Sequence, residues 1–305
     1  MTNDVLAGWQ KDSFTSAGMT RDTYRRGTGP GIVLVHEIPG ITPAVTRFAN
    51  DLVDAGFTVV MPSLVGTPGK APSGGYLASS MSKVCISREF TTMALNKTSP
   101  IIAWLRALGR DLHTEIGGKG IGALGMCFSG GFALGMMIDD HLAAPVLSQP
   151  SLPFTVGKKR AADLNLSPDD ARAVQRRAAE GCQVLGLRFT EDKLVGDRFE
   201  SLRTLIGDAF IGIELPSQKK SDHSVLTEQR DEPSVQRVIA FFKEKLVCFA
   251  VNTENLVRDL NLYGEKSSPK PRWRGLGEGE AEAGVLPGLE GGDGVARRFE
   301  QVARQ

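Results

Sequence analysis

Midway along the chain, between two apolar stretches, runs Gly125-Met-Cys-Phe-Ser-Gly-Gly131. Upstream, Gly120-Ile-Gly-Ala-Leu-Gly125 has the length and the small side chains of a closely packed strand. Downstream, Gly130 to Ile138 is apolar almost all round, as a buried helix is. Small residues two before and two after a central cysteine suit a sharp strand-to-helix turn, because the backbones of strand and helix nearly touch there. Such a turn lifts its central side chain above the edge of a sheet. The segment therefore constrains the architecture, a strand feeding a helix over a sheet, together with the chemistry, a thiol held out for reaction. A thiol at the start of a helix also meets the positive end of the helix dipole, which favours thiolates in general.

Two registers fit this segment. With Cys127 at the centre, Gly125 directly follows the strand and Ser129 is the small residue two places on. With Ser129 at the centre, Cys127 and Gly131 become the small neighbours and the turn starts two residues late. The first register fits better and makes Cys127 the candidate nucleophile, against the alternative of a small residue that merely fills a tight turn.

Around this segment the hydrophobic pattern switches between short β-branched runs and longer helical stripes, the signature of an α/β chain with a mostly parallel central sheet flanked by helices. Strands are expected at Gly31–Val35, Thr58–Met61, Pro145–Ser148, Gln183–Phe189 and Ala209–Glu214. Helices are expected at Pro43–Ala55, from Ser99-Pro100 onward, and over Ser167–Gly181, Asp197–Ile206 and Pro233–Leu246, several opened by a capping residue followed by proline. Residues 64–84 are rich in Gly, Pro and Ser and read as a surface excursion near a binding site. The domain organisation expected is an N-terminal segment 1–24, one α/β domain 25–250, and an extension 251–305. From about Gly264 the extension reads as disordered, because its Gly, Glu, Pro and Arg cannot bury enough apolar area to offset the entropy of ordering.

The 36 Lys+Arg against 35 Asp+Glu leave a formal net charge of +1. With no basic cluster beyond Lys158-Lys159-Arg160, neither nucleic acid nor an anionic membrane surface is an expected partner. The polar start MTNDVLAGWQKD does not resemble a secretory signal, and no apolar run approaches membrane-spanning length, so a cytoplasmic location is expected. Cys85, Cys127, Cys182 and Cys248 lie far apart with no C-x-x-C, which argues against a zinc ribbon or a disulfide scaffold.

A cysteine nucleophile needs a base within reach and a carboxylate to orient that base. Of the four histidines, only His223 lies in a polar loop after the late strands, Ser217 to Ser224, and it is the base candidate. The acid should sit just past the strand Gln183–Phe189, where Asp192 is the first choice and Glu191 and Asp197 are reserves. His113 and His141 read as surface groups. His36-Glu37 begins the pattern H-E-x-x-H, but Gly40 stands at the second His position and Pro39 would break the helix, so no metal site is expected. Instead, the backbone N–H groups of Ile38 and Phe128 can converge on a developing oxyanion. Glu37, a carboxylate in that mouth, calls for a role beyond packing.

His36-Glu-Ile-Pro-Gly40, Gly125-Met-Cys-Phe-Ser-Gly-Gly131, Asp192 before Lys-Leu-Val and the late His223 together resemble the dienelactone hydrolases, over roughly residues 25–246. The resemblance implies an α/β-hydrolase fold, a Cys-His-Asp triad, no cofactor, and a small ester or lactone opened through an acyl-thiol intermediate. It also implies that Glu37 contacts the resting thiol and restrains it. Two arginines hold the substrate carboxylate in that family, one of them four residues after the histidine; here that position is Thr227. Arg88 is the counterpart expected for the other. The segment from Pro150 to Gly181 is longer than the family's connection and reads as a cap over the cysteine. Oligomeric state is not legible in the sequence.

Overall fold

A strand buried on both sides must send alternate side chains into two different cores. In β3 (Gly31–Val35) all five residues are buried. Ile32 and Leu34 enter one apolar cluster, and Val33 and Val35 enter the other. The computed structural model describes residues 5–86, 90, 98–151 and 161–247. These lie within one compact unit spanning Met1–Phe249, and a second unit, Ala250–Gln305, falls outside the described residues, as does the disorder expected there.

Parallel to β3 run β4 (Thr58–Pro62), β5 (Ile121–Met126), β6 (Leu142–Ser148), β7 (Val184–Phe189) and β8 (Phe210–Leu215). β1 (Gln10–Ser16) and β2 (Met19–Arg26) form an antiparallel hairpin that pairs with β4, so the eight strands run β1-β2-β4-β3-β5-β6-β7-β8. Val33 and Val35 share their cluster with α3 (Pro100–Ile116), α4 (Gly130–Met136), α5 (Pro168–Ala179) and α6 (Arg198–Ile206). Ile32 and Leu34 pack with α1 (Pro43–Asp54) and α7 (Glu232–Leu246). Helices thus cover both faces.

Local chemistry explains the helix starts. Thr42, Ser167 and Asp231 each accept a backbone N–H three residues on, from Val45, Asp170 and Ser234, and each is followed within two residues by proline. The Gly130–Met136 helix is buried at every residue, as its all-round apolar sequence requires.

Two sequence expectations are corrected. Residues 1–24 are not a separate segment, because Gln10–Arg26 extend the sheet; Trp104 donates its indole N–H to the Met19 carbonyl (3.1 Å) and meets Phe14 edge-on at 5.4 Å. The hairpin leaves no strand signature in the sequence because β1 is largely exposed and polar, without the apolar run that marks an inner strand. The 64–84 excursion also contains α2 (Gly74–Ile86). Its Gly and Ser fall at the helix start, where the Ser73 hydroxyl accepts the Tyr76 N–H (3.4 Å), while Ser80 and Val84, four residues apart, are buried.

From β3 the chain passes to β4 on one side, and β5 then lies on the other side of β3. The carboxyl ends of β3 and β5 therefore part around a crevice, the usual ligand position of an open α/β sheet. Because Trp9, just before the hairpin, and Tyr24 within it are buried, and each such ring is worth about 2 kcal/mol or more, a chain beginning at Arg25 should melt on the order of 10 °C lower than the full chain. Calorimetry of the two chains checks this.

Candidate active site

Parallel pairing sets Val35 opposite Gly125, so the segments leaving β3 and β5 begin side by side. Cys127 opens a single 3₁₀ turn, Cys127–Ser129, before α4, and its φ is +54°. A side chain larger than glycine takes that conformation at a cost of about 1–3 kcal/mol, and only where its surroundings enforce it. Two close approaches do so. A Cβ on Gly125 would meet the Ser129 carbonyl oxygen at 2.0 Å, and one on Gly130 would meet Pro150 Cα at 2.6 Å.

Ser129 serves this turn. Its hydroxyl is fully buried, accepts the Met126 N–H (2.9 Å), and lies 2.8–3.0 Å from the carbonyl oxygens of Met126, Val35 and His36. It ties the elbow to the end of β3. Cys127 is half-buried, the central residue of the turn.

Asp192 and His223 come from the turns after β7 and β8. The Asp192 carboxylate accepts His223 Nδ1–H at 2.7 Å through Oδ2, and the Leu194 N–H at 3.0 Å through Oδ1. The reserve acids Glu191 and Asp197 are both exposed. The His223 loop is built by Asp222, which accepts the N–H groups of Gln218 and Lys219, and by Gln229, which accepts those of His223 and Ser224. His223 Nε2 is buried and lacks a hydrogen bond of strict geometry, yet Cys127 is within its electrostatic reach. Burial works against the imidazolium; its interactions with Cys127 and with the Asp192 carboxylate outweigh it, and the His223 pKa is pushed up to about 11.

Glu37 is 3% exposed and sits in a cage of donors. Thr227 donates to Oε1, and Ser224 (2.7 Å) and Gln149 (3.2 Å) donate to Oε2. Burial raises its pKa, and the two hydroxyls pull it back. The resting thiol contact implied for Glu37 is not made here, because the carboxylate is turned to these donors. The sulfur instead receives the Ser151 hydroxyl at 3.2 Å. No local motif in the sequence marks Gln149, Ser151 or Ser224.

His36 is fully buried between the ends of β3 and β4. Nδ1 donates to the Glu37 carbonyl (2.7 Å) and Nε2 accepts the Leu64 N–H (3.0 Å), so both ring nitrogens are occupied in the neutral tautomer. Burial lowers its pKa to about 4. Ile38 and Phe128 stand three residues beyond the paired Val35 and Gly125, at the same edge of the sheet. Thr227 turns its hydroxyl inward onto Glu37. Arg88 lies outside the described residues, as do 152–160 of the expected cap; the remainder of that segment includes α5, which packs Val174 into the core.

The strand order, with a strained residue between a central parallel strand and a buried helix and a His–Asp pair from the last two strand ends, is that of the α/β-hydrolase fold. Residues 19–166 match the model of the Dienelactone hydrolase family. Over that stretch, just under half of its length, the chain is similar to the dienelactone hydrolases. Similar solved structures include the dienelactone hydrolase from Anabaena variabilis, at 15% identity and a TM-score of 0.53, covering 79% of this chain and 100% of that one. A dienelactone hydrolase-like promiscuous phosphotriesterase from metagenomic libraries is 19% identical with a TM-score of 0.55, covering 78% and 98%. A cold-adapted esterase from an Arctic intertidal metagenomic library is 16% identical with a TM-score of 0.52, covering 77% and 94%. At these identities the likeness is one of fold. No curated protein matches the chain, and no helix of the described residues is long and apolar enough to cross a membrane.

Two outcomes follow. Ser129→Ala strips the partner from the buried Met126 N–H and should cost about 1–3 kcal/mol, seen as a lower melting temperature, while Cys127 stays open to alkylation. His36, neutral in the fold, contributes stability that is complete above its unfolded pKa of about 6.5 and is lost as the pH falls toward 4. Urea titrations between pH 7 and 4.5 should show a smaller loss in His36→Asn than in the parent.

Proposed function

We propose that the protein hydrolyses a small ester or lactone with Cys127 as nucleophile, His223 as base and Asp192 as the carboxylate that orients it. The observation carrying this reading is that three chain segments far apart in sequence bring a thiol at φ +54° and a 2.7 Å His–Asp pair to one end of the sheet. Packing gains nothing from a strained cysteine facing a buried histidine nitrogen.

In the first half-reaction the Cys127 thiolate attacks the carbonyl carbon, its proton having passed to His223 Nε2. Negative charge gathers on the carbonyl oxygen, where the N–H groups of Ile38 and Phe128 are the proposed donors. The C–O bond to the leaving alkoxide then breaks, and His223 returns the proton to it; for a lactone the alkoxide remains tethered to the acyl group. In the second half-reaction His223 takes a proton from water, the hydroxide attacks the acyl-cysteine, and the C–S bond breaks to release the acid. Asp192 keeps Nδ1–H fixed throughout, so that Nε2 is the nitrogen that accepts and returns protons.

The substrate follows from the same residues. Since Thr227 spends its hydroxyl on Glu37, the position four residues after His223 offers no cation to a substrate carboxylate. This supports an uncharged ester or lactone over one that must carry a free acid, and it leaves Arg88 as the proposed contact for any anionic group. The match of residues 19–166 to the Dienelactone hydrolase family supports a small ester or lactone substrate.

With a chromogenic acetate ester, the parent chain should release a burst of alcohol stoichiometric with enzyme. Cys127→Ala should show neither burst nor turnover, and Asp192→Asn should lower kcat by roughly 10²–10⁴-fold. Full turnover in Cys127→Ala would refute the assignment, and loss of turnover only in Ser129→Ala would move the nucleophile to Ser129.

A further inference from the structure

Besides His223, the sulfur of Cys127 has a second neighbour that the triad does not use. Ser151 is 4% exposed, and its Oγ lies 3.2 Å from Cys127 Sγ with the hydroxyl as donor. A second bond between the same two residues, Ser151 N–H to the Cys127 carbonyl at 3.0 Å, fixes their relative position.

The approach is enforced by the chain before it. Gln149, at the end of β6, takes φ +34° and donates its N–H to the Leu187 carbonyl at 2.6 Å, turning the backbone toward the elbow. Pro150 then presses on Gly130, which has no room for a Cβ. The hydroxyl is therefore delivered to the sulfur by a strained residue, a close backbone contact and a backbone hydrogen bond.

A hydroxyl that donates to sulfur stabilises the thiolate over the thiol, because an anionic acceptor strengthens the bond. We propose that Ser151 is a catalytic residue that holds the Cys127 sulfur as thiolate by donating its Oγ–H to it, beside His223. This deepens the nucleophile assignment above and rests on it. No bond is made or broken by Ser151; as the sulfur attacks the carbonyl its negative charge passes to the substrate oxygen, and the hydrogen bond weakens.

Other charged groups also bear on the sulfur. His223, from the loop after β8, and the buried guanidinium of Arg198, from α6, both feel its charge. Asp192 and Glu37 both interact with His223. All four remain in place when Ser151 is changed, so the effect of the hydroxyl can be read alone.

The test is the rate of Cys127 alkylation by iodoacetamide in the full chain between pH 4 and 10, read at Cys127 by peptide mass spectrometry so that the other cysteines do not contribute. In Ser151→Ala the midpoint of the rate profile should rise by about one pH unit, slowing alkylation about tenfold on the acidic limb and leaving the alkaline plateau unchanged. Ser151→Thr, which keeps the hydroxyl, should restore the parent midpoint. An unmoved midpoint in Ser151→Ala overturns the proposal, and so does a loss of rate by the same factor at every pH, which marks a packing role. Turnover by Cys127→Ala reports separately on the nucleophile: if that variant hydrolyses ester, the parent reading fails while the alkylation midpoints still decide the role of Ser151.

Discussion

The pairing of Val35 with Gly125 across two neighbouring parallel strands is the constraint from which the site descends. Once that register is set, the segments leaving β3 and β5 must run beside one another, and the Ser129 hydroxyl can reach the carbonyl groups of both. The elbow closes around that hydroxyl, and Cys127 is left at the apex in a conformation it would not adopt alone. A slip of one residue would send Val33 and Val35 into the wrong core as well as moving the cysteine. Folding energy and site geometry are therefore the same interaction viewed at two scales.

Polar groups in this part of the molecule are buried on unusual terms. His36 is kept neutral by burial, and its two nitrogens clamp the ends of β3 and β4 as a backbone group would. Glu37, the next residue, carries a carboxyl group into the interior and meets three donors there. An ionised group without such donors would cost far more than a hydrogen bond returns. The His223–Asp192 pair solves a related problem, since Asp192 uses its second oxygen on the Leu194 N–H and has no open acceptor facing apolar surroundings.

Much of this was legible in the sequence where the signal is local. The elbow announced itself by small residues at fixed spacing, the inner strands by continuous apolar runs, and α1, α5 and α7 by a capping side chain with proline after it. His223 and Asp192 could be found because the order of the chain leaves few other candidates. The hairpin β1–β2 was hidden by its exposed, polar edge strand, and α2 by glycines and serines gathered at its N-terminus. The partners of Glu37 were hidden for a different reason. They lie 112, 187 and 190 residues away along the chain, so no window of sequence contains the cage. Ser151 depends on the backbone turn at Gln149, which nothing in its composition betrays.

That cage carries an evolutionary consequence. Glu37, Gln149, Ser224 and Thr227 come from three separate segments but form a single hydrogen-bonded unit, with Gln149 also accepting the Val225 N–H and the Ser148 hydroxyl. Exchanging any one member alone removes a partner from Glu37 or leaves the donors around it without their buried acceptor, so single changes at these positions carry a cost in stability. Thr227 is held in that unit, and a cation cannot simply be installed there to recruit acidic substrates. A change of substrate preference by that route would require a coordinated rebuilding of the buried network, and the inherited architecture makes adaptation elsewhere around the mouth the shorter path.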